Sequence, residues 1–165
     1  MYNTKQFREV IQSTLKKFEE LGGAKYSDDA VELLIMIAAH ESGLGTYLYQ
    51  VKGPALGVFQ MEPATARDMY TNFISKKRTL DFAVSKFVPS LKSCFGTDFT
   101  ECIATDLRYA TVLARVFFMR FEEPIPKTPY DLAVYAKKYW NTELGKASVN
   151  DYLTAYKRAL AWLQH

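Results

Sequence analysis

The sequence predicts a mainly α single domain spanning residues 1–165, with about seven helices and at most a small β-hairpin. Apolar residues recur at helical spacing along most of the chain, and capping residues and prolines punctuate it between those runs. A length of 165 residues fits one domain able to bury its own core, and 48% hydrophobic with 15% aromatic content excludes a disordered chain. No repeat, low-complexity stretch or linker marks a second domain.

The first helix is expected from Thr4 to Leu21, where Phe7, Val10, Ile11, Leu15 and Phe18 share one face and Gly22-Gly23 stops the run. Ser27 caps the second, which carries the apolar stretch Val31 to Ala39 and ends at Glu41. A hairpin, if present, lies between residues 46 and 60. Glu62-Pro63 opens a third helix, proline in its first turn, running to about Ser75. A shorter fourth helix runs from Thr79 to Val88 and is broken by Pro89. Asp98 to Thr100 begins a long helix ending near Phe121; apolar nearly all round, it is expected to be the central buried one. Thr128-Pro129 starts the sixth, reaching Trp140, and Ser148 with Asp151 forms a capping box for the seventh, through Leu163.

The chemistry concentrates around Glu41. At the end of its apolar helix this carboxylate is desolvated and lies near the negative end of the helix dipole, and both effects favour the protonated acid. Such a group is a proton donor kept loaded at neutral pH. The plainer alternative is a solvated glutamate in a last helical turn. From Ser42 to Met61 the chain has no Asp or Glu, but it has Gly43, Gly45, Gly53 and Gly57 among Tyr47, Tyr49, Phe59 and Gln60. Glycines let backbone approach a ligand, aromatic faces suit sugar rings, and a Gln amide both donates and accepts. The segment reads as the floor of a saccharide cleft.

Glu41-Ser42, then Gly57-Val58-Phe59-Gln60-Met61, then Tyr139-Trp140-Asn141 resemble the three ordered motifs of the soluble lytic transglycosylases, goose-lysozyme-like enzymes that cleave peptidoglycan. In that family the motifs read Glu-Ser, Gly-Leu-Met-Gln and Ala-Tyr-Asn. The resemblance covers about residues 28 to 145. It implies a lysozyme-like fold, with Glu41 as the catalytic acid and Ser42, Gly57, Val58, Phe59, Gln60, Tyr139, Trp140 and Asn141 as substrate-binding residues. It also implies a substrate, the peptidoglycan glycan strand, cut between N-acetylmuramic acid and N-acetylglucosamine with closure to a 1,6-anhydro sugar. No second carboxylate is needed for that closure. Hydrolases ordinarily need one at roughly 5 to 9.5 Å, and Glu62, Asp68, Glu143 and Asp151 are the candidates for a lysozyme-type muramidase.

Val58-Phe59 replaces the family's Leu-Met, a volume-tolerant exchange. Trp140 stands where the family places a tyrosine whose hydroxyl approaches the catalytic acid, and an indole donates but cannot accept. Either Trp140 fills only the steric part of that role, or Tyr139 supplies the hydroxyl. Ser42 either orients Glu41 or caps the helix end, Gly57 either holds an N-acetyl sugar or only makes a turn, and Asn141 either binds substrate or caps a helix. Tyr47 and Tyr49 are weaker binding candidates, expected rather in local packing. The Trp140 departure also keeps open a non-catalytic wall-binding or virion protein of the same fold.

The net charge of +3 is dispersed, which suits an anionic wall polymer and is too small to imply nucleic acid. No segment reaches the roughly 18 consecutive apolar residues of a membrane span. Lys5, Arg8, Glu9, Lys16 and Lys17 interrupt any signal-peptide core. With the resemblance, this implies a bacteriophage enzyme, an endolysin or a virion component, held in host cytoplasm or virion before acting on the periplasmic wall as a monomer; a bacterial enzyme whose leader had been removed would read the same. Cys94 and Cys102 do not make a disulfide framework, and reduced thiols are expected. Histidine occurs only at His40 and His165, so His40-Glu41 is no zincin motif; neither metal nor cofactor is expected.

Overall fold

The structure, a computed structural model, describes residues 1–89, 100–141 and 145–161. Helix α1 (Thr4–Glu20) is capped by the Asn3 side chain, which accepts from the Gln6 amide, and buries Phe7, Ile11, Leu15 and Phe18 along one stripe. Its end is set by Gly22, at φ 90°, where a Cβ would lie 2.4 Å from the Thr79 methyl group. Helix α2 (Asp28–Ser42) begins at Ser27, whose hydroxyl accepts from the Ala30 amide, and Asp28 and Asp29 face the positive end of its dipole. It stops at Gly43 in the left-handed conformation, φ 56°.

Val31 and Leu33 to Ala38 are buried around the whole circumference of α2, because α1, α6, α7 and α8 all pack against it. This helix therefore holds the central place that the sequence reading gave to the apolar run ending near Phe121. That run is itself two helices, α5 (Cys102–Thr105) and α6 (Leu107–Phe118). Asp106 divides them: its backbone is extended and its carboxylate accepts from the Tyr109 amide at 2.9 Å, so an N-cap sits inside what looked like one periodic run. The extra break makes eight helices among the described residues against about seven expected.

Helix α3 (Pro63–Met69) continues into a wide π-helical turn, Tyr70–Ile74, and helix α4 (Arg78–Ser85) follows. Helix α7 (Pro129–Ala136), capped by Thr128, also widens into a π-helical turn, Lys137–Asn141, which carries Tyr139, Trp140 and Asn141. In α8 (Val149–Ala161) the capping box is present: Ser148 Oγ accepts from the Asp151 amide, and Asp151 Oδ2 accepts from the Ser148 amide at 2.7 Å. These hydrogen bonds hold the Asp151 carboxyl below its usual range. Among the described residues there is no strand; between 46 and 60 the hairpin reduces to isolated bridges, Tyr49 to Leu56 and Leu56 to Met61.

One contiguous core joins all eight helices except for their solvent faces. At its edge Glu32 of α2 is gripped by the guanidinium of Arg8 from α1 and by the Tyr156 hydroxyl from α8, which fixes the three helices in register. Cys102 is fully buried and disulfide-bonded, a correction to the reduced thiol expected for it; Cys94 lies outside the described residues. Among the described residues no helix is long and apolar enough to cross a membrane.

Candidate functional site

Glu41 lies in the last turn of α2 with its side chain 18% exposed, opening on a cavity of about 470 Å³. Gln50, Gln60, Glu62, Trp140 and Asn141 line the same cavity. Four residues of the other two motifs, Gln60, Met61, Trp140 and Asn141, are thus brought to Glu41 from two distant stretches of chain.

The partners of the Glu41 carboxylate come from elsewhere. Tyr152 of α8, with no exposed surface, donates its hydroxyl to Glu41 Oε1 at 2.8 Å. Burial and then the adjacent Glu41 charge push the Tyr152 hydroxyl far above its ordinary range, so it stays a neutral donor throughout the working pH. His40 Nδ1 lies 3.2 Å from the same oxygen, and the imidazole stacks on the Tyr152 ring with centroids 4.1 Å apart. With its proton on Nδ1, His40 is the second donor. Both contacts fall on Oε1, and Oε2 takes part in neither.

Tyr139 does not supply this hydroxyl. Its OH donates to Glu123 Oε2 at 2.6 Å, and its ring packs against Phe121. Trp140 packs on Phe117 and Phe118 and presents its remaining edge to the cavity. The hydroxyl sought beside the acid therefore belongs to Tyr152, a residue 111 positions from Glu41 whose only local signal is the capping box that sets where α8 begins.

Ser42, Gly57, Val58 and Phe59 are buried behind the residues that line the cavity. Ser42 is 1% exposed and makes no hydrogen bond to Glu41; its hydroxyl donates to the Val58 carbonyl at 2.6 Å and accepts from the Gly45 amide at 2.8 Å. Val58 and Phe59 are buried, Phe59 against Phe7. The Gly57 amide donates to the Leu48 carbonyl at 2.8 Å, and its own carbonyl accepts from Gln60 Nε2 at 2.8 Å, so its backbone orders the loop and aims Gln60. Gln60 itself sits at φ 50°, a conformation side chains rarely adopt and one held here by the surrounding loop. Asn141 Oδ1 accepts from Lys137 at 2.9 Å, which fixes its amide at the cavity edge.

Replacing Ser42 by Ala removes the donor to the buried Val58 carbonyl and the acceptor for the part-buried Gly45 amide. A loss of about 1–3 kcal/mol in unfolding free energy is expected, measured by urea titration, because the loop bearing Gln60 loses its brace. An unchanged unfolding midpoint would contradict that role.

Tyr47 and Tyr49 were expected in local packing, yet they are 57% and 62% exposed and line a second cavity of about 210 Å³ with Glu41, Gln50 and Gln60. Of the possible second acids, Glu62 shares the Glu41 cavity. Asp68 is engaged by Arg120 and Asn72, Asp151 caps α8, and Glu143 lies outside the described residues. Among the described residues no group of three or more His, Cys, Asp or Glu is placed to hold a metal. The chain matches no protein-family model, no curated protein and no solved structure.

Proposed function

We propose that this protein is a lytic transglycosylase that cleaves the β-1,4 bond between N-acetylmuramic acid and N-acetylglucosamine in peptidoglycan. The observation that carries this reading is a single half-buried glutamate, fixed through one oxygen by Tyr152 and His40, in a cavity edged by the amides of Gln60 and Asn141 and the indole of Trp140. Glu41 Oε2 gives its proton to the bridging oxygen as the C1–O bond breaks. The substrate's N-acetyl group stabilises the positive charge at C1. The C6 hydroxyl then attacks C1 and returns its proton to Glu41, which regenerates the acid and leaves a 1,6-anhydro ring. Gln60 and Asn141 supply the donor and acceptor groups that suit an N-acetyl sugar.

Tyr152→Phe removes the donor that holds Oε1 while preserving the buried ring. A fall of about 10-fold or more in kcat is expected, the scale of a lost hydrogen bond to a charged group, with KM little changed. Wild-type kcat in this variant would contradict the role given to Tyr152.

A second reading, a muramidase that hydrolyses the same bond, is favoured by Glu62, the other carboxylate lining the Glu41 cavity. Under transglycosylase chemistry Glu62→Gln is expected to lose less than about tenfold in rate. A base that activates water contributes about 10²–10⁴-fold, so a loss on that scale would favour the hydrolase.

The biological setting that goes with this reading is a bacteriophage endolysin or virion-borne enzyme acting as a monomer on the cell wall. Zymography in peptidoglycan-impregnated gels tests whether the protein cleaves the wall at all. A cleared band is expected, and its absence would leave a non-catalytic wall-binding protein.

A further inference from the structure

We propose, on the strength of the glycan-cleaving reading above, that the enzyme cuts strands internally rather than from their ends. Glu41 lines both the 470 Å³ cavity and the 210 Å³ cavity beside it. Trp140, Phe117 and Thr65 line both the first cavity and a third of about 620 Å³ that extends past Tyr139 and Lys138. The three form one groove, and the proton donor stands inside it rather than at a terminus.

Both ends of that groove are open to solvent on the described residues that line them. At one end Tyr47, Tyr49 and Val51 are 57%, 62% and 78% exposed, a cluster of apolar surface that no core contact explains. At the other, the Lys138 and Asp68 side chains are 55% and 54% exposed beside the rings of Tyr139 and Phe121. Recognition of a strand end requires a wall that stops the polymer next to the cleavage point. Here aromatic surface continues on both sides of Glu41, where successive sugar rings of one strand would lie against it. The charges at the far end are paired, Arg120 with Asp68 and Lys138 with Glu123.

The test follows long, peptide-free peptidoglycan glycan strands by size-exclusion chromatography and mass analysis while only a small part of the bonds is cut. Fragments of intermediate length are expected first, with disaccharides accumulating late. Disaccharides from the earliest time point, beside strands of undiminished length, would overturn internal cleavage while leaving the glycosidic reading intact. Failure to shorten any strand would overturn both. The double variant Tyr47→Ala/Tyr49→Ala gives a second measure, because both side chains are exposed and outside the core, and a thermal melt checks that the fold is kept. It is expected to lower kcat/KM on long strands by roughly tenfold or more, the scale of a lost anchoring aromatic, and to affect a tetrasaccharide much less. Equal losses on both substrates would overturn the placement of the strand along this arm.

Discussion

Glu41→Gln is expected to reduce the rate of glycan cleavage by at least about 10²–10⁴-fold, the contribution general acid catalysis usually makes, with the melting temperature held. The amide keeps the shape of the side chain and an oxygen that accepts from Tyr152 and His40, so the packing of α2 on α8 survives. What it lacks is the transferable proton. Two measurements on the same preparation settle the matter, a thermal melt and the initial rate of release of soluble fragments from peptidoglycan. A folded Glu41→Gln protein with substantial activity would sink both the transglycosylase and the muramidase readings, since each routes the proton through this residue.

Gly57→Ala is expected to be the most damaging small substitution in the loop that forms the cavity wall. A Cβ there would lie 2.2 Å from the Ile103 backbone carbonyl oxygen, and the φ of 75° is one that residues with a side chain pay for. The left-handed conformation costs about 1–2 kcal/mol, and displacing a backbone carbonyl adds roughly 1–3 kcal/mol. For a chain of this size that corresponds to a drop of roughly 5 °C or more in Tm. Activity should fall further than stability, because moving Gly57 moves the carbonyl that holds Gln60 and the amide bonded to Leu48. An unchanged Tm with unchanged activity would show that the loop accommodates a methyl group and that the close approach is not a constraint.

Much of the fold was legible because its helices advertise themselves locally. Phe7, Ile11, Leu15 and Phe18 repeat at the helical period, Ser27 and Thr128 cap, Pro63 and Pro129 open helices, and the Ser148–Asp151 box marks the start of α8. Asp106 was hidden for the same reason: an aspartate within a continuous apolar period looks like a tolerated polar position, and only the extended backbone there reveals the cap. The site was legible where position in the chain sets position in space. Glu41 ends its helix beside the loop that follows it, and Gln60 and Trp140 reach the same cavity.

Inside the motifs, however, adjacent residues point to opposite sides of a wall. Gly57-Val58-Phe59-Gln60 reads as one block, but the turn sends Val58 and Phe59 into the core and only Gln60 into the cavity. Tyr152 escaped detection for a different reason. Its contact with Glu41 depends on how α8 crosses α2, set by the shared core and by Arg8, Glu32 and Tyr156, and nothing in the residues around Tyr152 records that crossing.

In the proposed reaction one glutamate cleaves the glycosidic bond and the substrate's own C6 hydroxyl closes the anhydro ring. Mass analysis of the muropeptides released by the wild-type enzyme tests this most directly. The account predicts fragments ending in 1,6-anhydro-muramic acid, lighter by one water than hydrolysis products and resistant to borohydride reduction. Fragments ending mainly in reducible muramic acid would contradict it and assign the water-activating role to a second carboxylate such as Glu62.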